Sequence, residues 1–366
     1  MELFLKRKLT PLENIILATM SPYASIPRWL PNAIKNINEI ELSGIGELLL
    51  ERHLPAVFLK EKNSFDILKK IPQKDISNIG IEVIKTKIFS TAASAVCREI
   101  KDILEKKGIK HAFLKGAINC SLYSNHDSRC IGDIDILTTR SEAISLYRIL
   151  LDNGYNSGEA QTFTEQSLHN HMSNNKNYEL PALWRKVEID IERYSEIEKI
   201  LGNSSRFTVD KAIYANIPIE IHYELFPGHI LQFDTQTIEI GSGINLAGLK
   251  WDISLLYTAY KTYADLVALR KIKAAKLFTD TLRIIHMHPE EIWTENLIKE
   301  AIRLNLGGIL KSILVQAKST YELPIPNEII FSLPQNPSRW ESESLIPILI
   351  SNNFPNPLTL HMKTKT

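Results

Sequence analysis

The sequence predicts an α+β fold: a mixed β-sheet core flanked by helical regions on its N-terminal and C-terminal sides. Three observations carry that prediction. A strongly periodic helix over 80–106 runs into a short apolar strand at 110–114. Three later stretches, 132–137, 184–194 and 217–225, alternate acidic and aliphatic residues with period two. From Trp251 onward the apolar residues return to helical spacing. The division that follows is 1–80 (helical), 81–248 (core), 249–323 (helical) and 324–366 (a loosely packed tail).

Composition narrows the function classes. Of 366 residues, 44% are hydrophobic and 23% charged, which suits a globular chain with a large core. The net charge of +1 supplies no field toward nucleic acid or a membrane surface, although a net value can hide a local basic patch. Cys97, Cys120 and Cys130 are odd in number and lack C-x-x-C spacing, so a reducing, cytoplasmic setting is expected. Met1–Leu9 is basic but too short in apolar residues for a secretory signal, and no run of 18 uncharged apolar residues predicts a membrane span.

Residues 1–80 are broken by six prolines, with helices expected at Ser43–Leu54 and Ser64–Ile71. Over 80–106, Ile84, Ile88, Ala92, Ala95, Val96, Ile100, Ile103 and Leu104 recur at helical spacing, and Gly108 supplies a stop. His111–Leu114 reads as a buried strand ending at Lys115-Gly116. Gly116–Tyr123 reads as a short helix whose free N–H groups would favour phosphate. Asn125–Cys130 is a polar loop. Ser141–Asn153 is the next helix, with Ser141 as N-cap. Asn156–Asn177 is polar, and its His169 and His171 read as solvated loop residues. After Trp251, helices are expected at Asp252–Leu269, Ala274–His288, Glu295–Leu304 and Gly308–Tyr321. Residues 325–366 read as a tail with one helix near Ser342–Ser351.

The chemistry concentrates at Gly132–Leu137, GDIDIL. On a strand Asp133 and Asp135 share a face, while Ile134 and Ile136 point to the core. Paired carboxylates repel, and a structural strand gains nothing from them. A divalent cation resolves the repulsion: Mg²⁺ takes hard oxygen ligands and leaves positions for water and phosphate, with Mn²⁺ the alternative. Gly132, directly before the pair, would let a ligand approach the backbone. Arg129 reads as a bidentate phosphate contact or a charge partner for the acids.

Leu114-Lys115-Gly116, Arg129, Gly132–Leu137 and a helix ending in Gly154-Tyr155 together resemble the nucleotidyltransferase superfamily typified by DNA polymerase β. Within it the pattern is most similar to a bacterial family described as uncharacterised nucleotidyltransferase. The resemblance implies Mg²⁺-dependent transfer of a nucleoside monophosphate from ATP or another NTP. Asp133 and Asp135 would hold metal, and Lys115, Gly116, Arg129 and Gly132 would lie near the nucleotide. Lys115-Gly116 stands where the superfamily usually has Gly-Gly or Gly-Ser, so its way of holding the triphosphate does not transfer directly.

The resemblance also requires a third acid on a neighbouring strand, and two strands compete for it. Trp184–Tyr194 puts Glu188, Asp190 and Glu192 on one face; Ile217–Leu225 puts Glu220, His222 and Glu224 on one face. Ile219-Glu220-Ile221-His222 matches the family pattern better, whereas Glu188 or Asp190 fits its spacing. Glu220 is preferred, as catalytic and metal-holding acid. The acceptor is open: a peptide, a small molecule or a protein. Two alternatives stand beside this reading, a nucleotide-binding scaffold without catalysis and a toxin-like enzyme that modifies tRNA or protein. A basic face for RNA is not evident.

Overall fold

The structure is a computed structural model that describes residues 9–23, 42–61, 66–157, 163–174, 177–190, 195–229, 232–241, 243–268, 271–334 and 349–350. The fold is α+β with a mixed sheet, and it divides into two compact units. One is Ile81–Lys250. The other joins Met1–Gly80 to Trp251–Thr366, so the two flanking helical regions, separated in the sequence reading, form one unit.

The Ile81–Lys250 unit is built on a seven-stranded sheet: β1 (His111–Phe113), β2 (Ile134–Thr138), β3 (Leu183–Glu188), β4 (Phe207–Val209), β5 (Ile213–His222), β6 (Thr235–Glu239) and β7 (Asn245–Leu249). The order is β3-β5-β2-β1-β7-β6, with β4 also on β5. β1–β2, β3–β5, β4–β5 and β6–β7 are antiparallel; β2–β5 and β1–β7 are parallel. β1 and β2 are buried along their whole length, as expected of inner strands covered on both faces. β5 alternates instead: Ile213, Ala215, Ile217, Ile219 and Ile221 are buried, and Tyr214, Asn216, Pro218 and Glu220 are half-buried. One face of this end of the sheet is therefore packed and the other is open.

The long helix Gln73–Lys107 feeds β1, and it starts earlier than its apolar stripe predicts. From Phe89 onward its buried apolar positions are Phe89, Ala92, Ala93, Val96, Cys97, Ile100 and Leu104, whereas Ile84 and Ala95 are exposed. The stripe is thus rotated slightly from the one read in sequence. Phe89 meets Phe207 of β4 edge-on, ring centroids 5.9 Å apart.

Several expectations fail for local reasons. Asn156–Asn177 is not simply loop: Glu165–Ser173 is a helix capped by Thr164, whose hydroxyl accepts from Ser167 N at 3.2 Å, and it carries His169 and His171. Only Leu168 and Met172 mark its buried side, too few to show a period. Ser141 is not the N-cap of the next helix, which runs Ala143–Asp152 from Glu142. Asn125–Cys130 contains a 3-10 turn, His126–Ser128. The strand read over 184–194 is Leu183–Glu188; Glu192 lies outside the described residues. In the tail, Asn327–Ser332 is helical, and Ser342–Ser351 falls almost wholly outside the described residues.

In the other unit, Pro11–Met20 is a helix that the prolines obscured. Thr10 and Glu13 form a reciprocal capping box, with Thr10 N donating to Glu13 Oε2 at 2.9 Å. Further helices are Ile45–Glu51, Pro55–Glu61, Trp251–Val267, Lys271–Met287, Glu295–Arg303 and Gly307–Tyr321. Tyr321 Oη donates to Leu17 O at 3.2 Å, and Trp251 stacks on His288 at 4.1 Å. Among the described residues no helix is long and apolar enough to cross a membrane.

Candidate active site

The parallel pairing of β2 with β5 fixes the site. Its register sets Asp135 beside Glu220 and Leu137 beside His222. Period two then places Asp135, Glu220 and His222 on the same face. Ligand atoms of these three lie within 4.8 Å of one another. The aliphatic neighbours Ile134, Ile136, Ile219 and Ile221 fill the opposite face, all 1% exposed or less. That packing makes the carboxylates rigid.

Asp135 is wholly buried. Its Oδ1 is met by the Lys115 ammonium and by His222 Nε2, the latter donating at 2.8 Å. Its Oδ2 is buried with no hydrogen-bond partner. Burial alone would raise its pKa, but Lys115 first and His222 second reverse this and hold the carboxyl well below the usual range. Glu220 behaves oppositely. Burial, then the charge of Asp135, push it up to about 8, with Asp133 and Glu179 adding to the rise and Lys115 opposing it. Lys115 Nζ stands 3.9 Å from Glu220 Oε2, and His222 Nε2 stands 3.8 Å from the same oxygen.

Lys115 reaches these carboxylates from the turn after β1. Its backbone has φ +45° and ψ −122°, a conformation L-residues rarely adopt. Gly116 follows because the chain passes close to its neighbour there: an added Cβ would lie 3.3 Å from Cys130 O and Ile131 Cα. The sequence reading put Lys115 near phosphate; the structure puts its ammonium on Asp135 and Glu220. The helix after it is only Gly116–Asn119, followed by a 3-10 turn.

The remaining predicted residues fall as follows. Asp133 sits half-buried in the bend before β2, near enough to Glu220 to raise its pKa. Gly132 has open space where a Cβ would go, so no neighbour among the described residues demands glycine. Arg129 is buried, and its Nη1 donates to Cys130 O at 2.6 Å, beneath Gly116. Glu188 and Asp190 are exposed, and Glu188 pairs with Tyr214, six residues before Glu220 on β5. At about 3.4 Å per residue that is roughly 20 Å away, so neither competes with Glu220 for a place beside Asp135. Glu224 lies beyond the end of β5, where it accepts from Arg140 at 2.6 Å and from Gly228 N at 2.8 Å.

Two residues escaped the sequence reading. Glu179 is bridged to His222, and its Oε2 stands 3.4 Å from His222 Nδ1. Tyr178 stacks on the His222 ring, centroids 5.8 Å apart. Both lie in a polar, irregular stretch with no period to announce them.

The sequence model of a family described as uncharacterised nucleotidyltransferase matches residues 82–322, well over half of the chain. The chain belongs to that family. The match takes in the whole acid cluster. No curated protein matches. Among solved structures, an antigenic nucleotidyltransferase-like protein from Paracoccidioides brasiliensis is similar at 12% identity with a TM-score of 0.40, over 68% of this chain and 96% of that one. A likeness at that level bears on neither site nor activity. Family membership makes the protein one of a group of nucleotidyltransferases.

Proposed function

We propose that this protein transfers a nucleoside monophosphate from ATP or another NTP to a nucleophilic acceptor, on a polymerase β-like core, with Mg²⁺ or Mn²⁺ held by Asp133, Asp135 and Glu220. The observation that carries the reading is the β2–β5 register, which sets Asp135 beside Glu220 on one rigid face. The donor set suits a hard cation. Asp135 Oδ2 is a buried carboxylate oxygen with no hydrogen-bond partner, and Glu220 is a carboxyl that burial, and then its acidic neighbours, drive toward its protonated form. When bound, the metal neutralises charge on the transferring phosphate.

The chain's own residues do the rest. Glu220, half-buried on the open face, would take a proton from an acceptor hydroxyl once a bound cation holds it in its ionised form. His222 donates to Asp135 Oδ1 and so fixes which oxygen stays available. Lys115 holds positive charge against both carboxylates and would offer it to an arriving triphosphate. Cys97, Cys120 and Cys130 are free thiols, which fits a reducing, cytoplasmic setting.

One observation favours a second reading. Lys115 already supplies a cation to Asp135 and Glu220, as a site without metal or catalysis would. The protein would then bind nucleotide without transferring it. Isothermal titration with ATP, GTP, CTP and UTP, with and without Mg²⁺, separates the two. Asp133→Asn is the variant of choice because Asp133 is half-buried in a bend and its loss should leave Tm unchanged. The proposal expects metal-dependent binding of at least one NTP, weakened about tenfold or more in D133N. Metal-independent binding supports the non-catalytic reading. Failure of every NTP to bind folded wild-type protein overturns both.

A further inference from the structure

The open face of the sheet does not end at Glu220. Along β5 it continues through Pro218, Asn216 and Tyr214, and across to β3 it continues through their partners Trp184, Lys186 and Glu188. Asn156 pairs with Trp184 on the far side and extends the row by one more position. A cavity of ≈ 790 Å³ lies here, lined among others by Phe163, Pro181, Trp184, Lys186, Ser205 and Asn216. That volume is in the range of small-molecule sites. Strand geometry places its lining residue Trp184, the partner of Pro218, about 7 Å from Glu220 along the strands and about 5 Å across.

The lining has a definite chemistry. Trp184 is 37% exposed on the open face, away from the packed aliphatic side of the sheet. Phe163 and Pro181 add flat apolar surface. Lys186 is exposed, with its ammonium 4.1 Å from the Tyr214 ring centroid. Arg185 also lines the cavity, but it is paired with Glu99 at 2.9 Å. No acid lines the cavity among the described residues. Hydrogen-bonding side chains come from Asn156, Ser205 and Asn216, the last donating to Thr208 Oγ1 at 3.0 Å. One face of one sheet thus carries acids at the β2–β5 end and a cationic, aromatic pocket at the β3 edge.

We infer that this pocket binds the acceptor, and that the acceptor is a small anion carrying a flat ring. This rests on the nucleotidyl-transfer reading. There, Lys115 and Gly116 would receive the triphosphate on the β1 side of the acids, while Glu220 belongs to β5, the strand between β2 and β3. An acceptor must present its nucleophile to Glu220 from the side opposite the triphosphate, and the β3 pocket lies on that side of β5. Trp184 supplies the stacking surface and Lys186 the counter-charge.

The probes are 1-anilinonaphthalene-8-sulfonate, a flat ring system with one anionic group, and the uncharged N-phenyl-1-naphthylamine. Binding is followed by fluorescence on full-length wild type, Trp184→Ala and Lys186→Glu, with Tm checked for each. The sulfonate should bind one to one. K186E should weaken it about tenfold or more, as loss of a charge-assisted contact does, and leave the uncharged probe unaffected. W184A should weaken both. Equal effects of K186E on both probes, or none, overturn the anion assignment, and K186E alone decides this if W184A fails to fold. Mg·ATP should bind together with the sulfonate. Mutual exclusion would make the pocket the nucleotide's own and overturn the acceptor assignment. If no NTP binds but the Lys186-dependent discrimination holds, the pocket's chemistry stands and its acceptor role falls with the transfer reading.

Discussion

The end of β3 with the two residues after it, and the end of β5, carry nearly the same pattern, Val-Glu-Ile-Asp and Ile-Glu-Ile-His, and meet opposite fates. β5 is an inner strand with β2 on one side and β3 on the other. Its Glu220 stands beside a buried carboxylate, and its pKa rises to about 8. β3 is the last strand of the order, its Glu188 is exposed, and its partner is Tyr214. An acid on a strand becomes chemically special through its cross-strand neighbours and the water it loses, not through the alternation that places it on a face.

The strongest way to break the comparison is to neutralise each acid in turn. Glu220→Gln should reduce metal-dependent transfer by about 10²–10³, the scale seen when a group facing developing charge is removed. Glu188→Gln should change it less than about twofold and stability by under ~0.5 kcal/mol. Both are read in one turnover assay with the NTP found by titration. Equal losses would mean that β3 shares in the chemistry, and the β2–β5 register would no longer locate the site.

His222 sharpens the same contrast through stability. It is 1% exposed, donates to Asp135 and stacks on Tyr178. His222→Ala removes one of the two partners of a buried carboxylate oxygen and should cost about 1–3 kcal/mol in urea denaturation. The equivalent change just past β3, Asp190→Ala, touches an exposed side chain and should move the midpoint very little. If H222A is neutral, the Lys115 ammonium suffices for Asp135, and His222 does not position it.

Much of this was legible in the sequence because it is local. Period two showed that Asp135 and Glu220 are each on strands, and Lys115-Gly116 marked the turn after β1. What the sequence left open was pairing. Whether Glu220 or Glu188 adjoins Asp135 depends on a parallel register between segments some 85 residues apart, and no local pattern encodes it. Glu179 and Tyr178 were invisible for a related reason: they reach His222 from an irregular segment through a single bridge. The contact of Lys115 with Asp135 and Glu220 was not legible either, because it joins the turn after β1, in an unusual backbone conformation, to acids on two other strands. The helix Glu165–Ser173 was lost to sparse apolar marking, although Thr164 was there to be read as its cap.

The mildest test turns on protons. Glu220 has a folded pKa of about 8 against an ordinary value of 4.5, so between those values the folded state holds a proton that the unfolded state has released. Metal-free stability should therefore fall as pH rises from about 4.5 to 8, with a slope below ~1.4 kcal/mol per pH unit because the group is partly exposed. Asp135 acts in a separate window. Its folded pKa is depressed, so its contribution is complete above the ordinary carboxylate range and is lost only at lower pH. Urea midpoints at pH 5, 6, 7 and 8 should decline for wild type and for E188Q alike, and stay level for E220Q. Mg²⁺ should flatten the wild-type decline by favouring the ionised carboxyl. A decline that persists in E220Q would assign the proton to another group and remove the electrostatic distinction between the two strands.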